Sequence, residues 1–170
     1  MSRPKDAGED TCSGDGADVA CAPLPASVQA GRMNHAIVRV ARLHRMLAAQ
    51  LLRRVGLHLG QELVMMQLWD HGPQRQADLV RMLGSDAATM TRTIQRLEHA
   101  GFVRRKPSPT DKRATIIEPT PASQAVRQQI EDIWAELETA AAAGLTPDQQ
   151  AEALKVLQLI EESLARAASC

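Results

Sequence analysis

Aromatic side chains are nearly absent from this 170-residue sequence, which has no tyrosine and only three rings, Trp69, Phe102 and Trp134. Strand-rich sandwiches and barrels draw on aromatic and β-branched residues, so a core of Leu, Ile, Val, Met and Ala points to helices. Long hydrophobic runs are missing as well. No stretch approaches the roughly 18 apolar residues of a membrane span, and the first residues lack the apolar segment of a secretory signal, so a cytoplasmic protein with no membrane partner is expected. Cysteine is sparse: Cys12, Cys21 and Cys170 are an odd number without CxxC spacing, which argues against a disulfide framework. His35, His44, His58, His71 and His99 form no HxxxH or HExxH pair, so neither a metal nor a cofactor is expected. There is also no Gly-rich phosphate loop after a strand and no GxSxG, and no catalytic residue is assigned.

Net charge is absent too, with 20 Lys and Arg against 20 Asp and Glu, but the balance is uneven along the chain. Residues 1–29 carry two basic against five acidic side chains, and residues 30–74 carry six against two. Residues 75–117 carry nine against four, a net of plus five, and residues 118–170 carry three against nine. A basic middle between acidic ends is what a local polyanion site requires.

Residues 1–31 are rich in Gly, Pro, Asp and Ser and lack hydrophobic periodicity, so they read as a disordered tail. Residues 33–54 place Ile37, Val40, Ala41, Leu47, Ala48 and Leu51 at helical spacing. A second helix over 59–71 is apolar around much of its circumference and stops at Gly72-Pro73, which makes it central. A short helix over 76–82, a turn at Gly84 and a helix over 86–100 with Ser85 or Asp86 as cap form a helix-turn-helix. The inward stripe of that last helix is Ala87, Met90, Ile94 and Leu97. Residues 102–106 and 115–117 then read as two strands of a hairpin around the turn residues of PSPTDKR. Pro119 and Pro121 begin a long helix running to about 143, and Thr146-Pro147 opens a final helix with Ala151, Leu154, Leu157, Ile160 and Leu164 in one stripe.

The helix over 86–100 leaves Thr89, Thr93 and Arg96 opposite its apolar stripe, with Arg92 on the flank and Thr91 near the edge. An α-helix fits the major groove, where Arg bonds guanine and Thr meets a base, a phosphate or a thymine methyl. Gln76, at the start of the preceding helix, joins this set as a DNA contact. Arg104, Arg105, Lys106 and Lys112 supply phosphate contacts that position without specifying sequence. At the hairpin tip Asp111 lies two residues before Arg113, close enough to brace an arginine that enters a narrow minor groove. Double-stranded DNA is therefore the expected partner.

The stretch TMTRTIQRLEHAGFVRRKPSPTDKRATIIEPTPAS resembles the MarR family of transcriptional regulators, with its TR-containing recognition helix, RLE-to-GFV segment and Pro-Asp-Arg wing. The likeness covers residues 33–168, and Pro119 and Ser123 stand where the family pattern has Leu and Gly. It implies a mainly α, six-helix winged helix-turn-helix fold: dimerisation helix 32–57, DNA-binding domain 58–118, C-terminal dimerisation helices 119–170. It implies an obligate homodimer, to which the apolar stripes of 33–54 and 119–168 independently point, since one helix-turn-helix could not cover them. Such a dimer would act on a pseudo-palindromic operator with half-sites roughly 34 Å apart. The resemblance further implies a repressor released by a small effector, phenolic or aromatic-carboxylate-like, in a pocket between dimerisation helices and winged domain. His44, Met65, Met66, Trp69 and Trp134 are the candidates to line it, although the Met and Trp side chains fit plain core positions better. Three alternatives stay open: a zinc-responsive regulator of the same fold, a thiol-redox-responsive one, and a helical protein-interaction module without DNA binding. The last would have no need for Arg92, Arg96 and Arg113 together.

Overall fold

The computed structural model describes residues 31–111 and 114–168. The expected tail up to residue 30, the three cysteines, Lys112 and Arg113 lie outside the described residues, as does the expected brace of Arg113 by Asp111.

The chain runs α1 (Arg32–Leu52), a 3-10 turn (Arg53–Val55), α2 (Gln61–His71), β1 (Gln74–Arg75), α3 (Gln76–Met82), α4 (Ala87–His99), β2 (Val103–Pro107), β3 (Thr115–Pro119), a second 3-10 turn (Pro121–Ser123), α5 (Gln124–Ala142) and α6 (Pro147–Ala168). It divides into two units between Leu43 and His44. The described part of the first is helical and exposes Met33, Val38 and Val40.

The second unit holds the core. Leu52, Leu57, Met65, Leu68, Leu79, Ile94, Leu97, Ile117 and Ile130 are all almost completely buried, so side chains from the end of α1, from α2 to α5 and from the sheet meet in one cluster. The central position expected of the second helix is found, since α2 buries Val64, Met65 and Leu68 and also Gln61 and Glu62. Arg54 donates two hydrogen bonds to the Glu136 carboxylate, at 3.1 and 2.9 Å, and ties the first 3-10 turn to α5.

The wing sheet has three strands in the order β1-β3-β2, all antiparallel. The two-stranded hairpin expected from sequence thus gains Gln74 and Arg75, which pair with Ile117 and Ile116. Two residues carry too little pattern to be legible as a strand; β3 supplies the template. Pro119 does not begin a helix: it ends β3 opposite Val103. A residue without an N–H is tolerated at a strand end, and the next amide, on Thr120, donates to the Phe102 carbonyl at 2.9 Å, so the chain stays extended one residue longer. Pro121 then opens the 3-10 turn, and α5 starts only at Gln124. Thr146 caps α6 as expected, in a reciprocal box: Gln149 N–H donates to Thr146 Oγ1 at 3.3 Å and Thr146 N–H to Gln149 Oε1 at 2.9 Å.

Candidate nucleic-acid interface

α4 begins at Asp86, whose carboxylate accepts the Thr89 amide at 2.8 Å. Hydrogen bonds from the Thr89 side chain and then its backbone hold the Asp86 carboxyl below the ordinary value. The helix ends at Gly101, where φ is +78° and where Phe102 N–H donates to the Leu97 carbonyl at 2.9 Å. An L-residue is disfavoured at that angle, so glycine fixes both the end of α4 and the direction in which β2 leaves it. Met90, Ile94 and Leu97 face the core, whereas Ala87, expected inward, is exposed in the first turn.

That anchoring turns Thr89, Arg92, Gln95 and Arg96 outward, all exposed, with Thr91 and Thr93 half-buried beside them. Gln76 and Thr91 meet each other: Gln76 Nε2 donates to Thr91 Oγ1 at 2.9 Å, and the same hydroxyl donates to the Ala87 carbonyl at 2.7 Å. One hydroxyl therefore couples the first residue of α3 to the first turn of α4. Arg92, Arg96, His58 and His99 also border a hollow of about 490 Å³ along the flank of α4.

The wing cations fall into two groups. Arg104 Nε and Lys106 Nζ both contact Glu118 Oε2 at 2.8 Å. Lys106 and then Arg104 hold the Glu118 carboxyl below its ordinary value. The register places Arg104 directly opposite Glu118, so both cations and the carboxylate share one face of the sheet. Arg105 points the other way, pairing with Glu98 at 3.2 Å and donating to the Thr91 carbonyl at 3.4 Å. It joins β2 to α4. Neither Glu118 nor Glu98 was singled out in the sequence; the strand register, once known, identifies the first. Ser108 was also missed, and it is buried in the wing, where its hydroxyl accepts the Thr110 and Asp111 amides at 3.4 and 3.3 Å.

A helix with an outward Thr/Arg face, fixed to a preceding short helix and followed by a basic hairpin, is a winged helix-turn-helix, and residues 57–115 match the model of the MarR family. Over residues 57–115 the chain is similar to the winged helix-turn-helix of MarR-family transcriptional regulators. Members of that family regulate transcription and are not enzymes.

The chain is 37% identical over 59 residues to the HTH-type transcriptional repressor NicR of Pseudomonas putida; the match takes in 35% of the chain and spans only 37% of NicR. A mutant of MarR from E. coli complexed with operator DNA superposes with a TM-score of 0.74 at 22% identity, over 81% of this chain and 99% of that one. BpsR of Bordetella bronchiseptica, whose DNA binding is regulated by 6-hydroxynicotinic acid, gives 0.71 at 23% identity, over 82% and 98%. These two structures share its fold.

In the second unit another cavity, of about 480 Å³, is lined by the end of α1, the start of α2, the turn before α4, and α5. His44 and Trp134 line it, whereas Met65, Met66 and Trp69 do not. Met65 is fully buried in the core. Trp69 donates from Nε1 to Ser123 Oγ at 3.1 Å and lies under the Arg127 guanidinium, 5.7 Å from the ring centre. Glu62, absent from the expected set, is buried on the cavity wall. No helix among the described residues is long and apolar enough to cross a membrane, and no group of three or more His, Cys, Asp or Glu that could hold a metal ion occurs among them.

Proposed function

We propose that this regulator is a cytoplasmic repressor that binds a pseudo-palindromic operator as a homodimer and leaves it when a small molecule enters the cavity behind α4. The observation that carries the reading is the outward face of α4. Thr89, Arg92 and Arg96 stand exposed on a helix whose opposite side is locked into the core and whose first turn is tied to α3 through Gln76 and Thr91. In this reading Thr89, Thr91, Thr93, Arg92 and Arg96 address the major groove, with Gln76 at its edge. Arg104, Lys106 and Lys112 serve the phosphates, whereas Arg105, expected among them, is turned onto α4 and fixes β2 there; Arg113, braced by Asp111, enters the minor groove.

The dimer is supported by α6, a 22-residue helix with no buried residue. Leu154, Val156, Leu157, Leu159 and Leu164 are all exposed along it, and so much apolar surface on one helix is what a second copy would cover. Residues 32–57 and 119–170 would then form the dimerisation layer and 58–118 the DNA-binding domain. Release is supported by the shared wall: Gly84, Ser85 and Thr89, at the start of α4, line the cavity together with α1, α2 and α5 residues. A ligand there acts only if it binds the DNA-free spacing of the two α4 helices more tightly than the bound one. The operator complex of MarR and the ligand-regulated DNA binding of BpsR occur on this same fold.

Selection of bound fragments from random DNA, followed by footprinting, tests the reading. The result expected is a two-fold symmetric site with half-sites about one helical turn apart; an asymmetric or sequence-independent footprint contradicts it.

A further inference from the structure

The cavity behind α4 contains one buried polar group that the fold leaves unsatisfied. Glu62 is 4% exposed, and its Oε2 has no hydrogen-bond partner among the described residues. It sits in the first turn of α2, just after Gly60. Burial pushes its pKa up, and the backbone amides of Glu62 itself and Gly60 oppose that rise. Around it the wall is apolar, with Leu52, Leu63, Ile133 and Leu137. The basic side chains lining the same space, His44 and Arg45, are exposed to water, which screens any charge they carry. The group that sets polarity inside is therefore a carboxyl. A buried oxygen in that position gains most from a donor that also carries positive charge, because charge-assisted bonds are the strong ones and are worth more out of water. An anionic ligand would instead require Glu62 to keep a proton.

We propose that the cavity takes a ligand with a cationic hydrogen-bond donor, an amine, amidine or guanidine on an apolar body, and that the donor bonds Glu62 Oε2. The proposal rests on the reading of this cavity as the effector site, and it departs from the phenolic or carboxylate-like ligand that the family resemblance implies. The volume of about 480 Å³ is in the range of small-molecule pockets.

Calorimetric titration of the full-length protein with benzamidine and with benzoate, a cation and an anion of the same shape, decides it. Benzamidine binds the wild type at least about tenfold more tightly than benzoate, and Glu62→Gln abolishes that preference. The variant keeps the side-chain shape and a carbonyl oxygen that can still accept from the backbone amides, so its melting temperature at neutral pH is not lowered, which separates lost binding from lost folding. Equal or tighter binding of benzoate, a preference that survives Glu62→Gln, or binding of neither compound overturns the proposal. DNA binding measured on the same samples keeps the two readings apart. Intact DNA binding without benzamidine binding sinks the ligand class alone, and Glu62-dependent benzamidine binding that leaves DNA affinity unchanged sinks the effector role alone.

Discussion

Gln76 Nε2 donates to Thr91 Oγ1 at 2.9 Å, so the first residue of one helix holds the first turn of the next. The hydroxyl also donates to the Ala87 carbonyl at 2.7 Å, which aims its lone pairs at the amide. Thr91→Val keeps the shape and removes the hydroxyl, leaving Gln76 without this partner. The expected cost is about 1 kcal/mol of folding stability, read from urea unfolding. DNA affinity should fall with it, since the two helices lose their mutual alignment. In a double-mutant cycle with Gln76→Ala the two losses should not add. Additive losses would show that the contact does not couple the helices.

Glu118 takes up the charge of two wing cations, Arg104 and Lys106. Glu118→Gln should free both for phosphates, raising affinity for arbitrary DNA and steepening its salt dependence, because each additional phosphate contact releases counterions. Anisotropy titrations at several salt concentrations measure the slope. An unchanged or shallower slope would mean that the two cations do not face DNA.

The Asp86 cap should make the start of α4 acid-sensitive. Its folded-state pKa lies below the unfolded one because Thr89 bonds the ionised form. The stabilisation is thus complete above the unfolded value and is lost as pH falls through the folded value. Asp86→Asn retains a capping acceptor without that proton. The variant should show a shallower decline of thermal stability between neutral and acidic pH, and an identical decline would contradict the assigned cause.

Much of this architecture is legible in the sequence where a pattern is long or punctuated. The Met90, Ile94, Leu97 stripe and Gly101 mark α4, and Thr146-Pro147 marks the start of α6. What was not legible depends on pairing across distance. The two-residue β1 exists only because β3 lies beside it, and Glu118 matters only because the register puts it opposite Arg104. Glu62 reads as an ordinary first-turn acid at a helix N-terminus; only packing buries it. Trp69 reads better as core than as cavity lining, and its bond to Ser123, away from the cavity, agrees with that reading.

The apolar face of α6 gives a prediction about assembly. Leu154→Glu combined with Leu157→Glu puts two charges on residues that are each 59% exposed in the single chain. Burial of those charges at a two-fold interface is costly, so sedimentation should show the homodimer shifted to monomer while helical content is largely kept. A double variant with unchanged mass would place the interface elsewhere.

The most direct measurement is the affinity of the Arg92→Ala, Arg96→Ala double variant for DNA selected with the wild-type protein. Both side chains are exposed on α4 and take no part in the core, so folding and oligomeric state should be unchanged. If α4 reads the DNA, each substitution costs about 1–3 kcal/mol and the pair weakens binding by at least about thirtyfold, with sequence preference lost. Wild-type affinity and preference in a folded double variant would contradict the assignment of α4 as the reading helix.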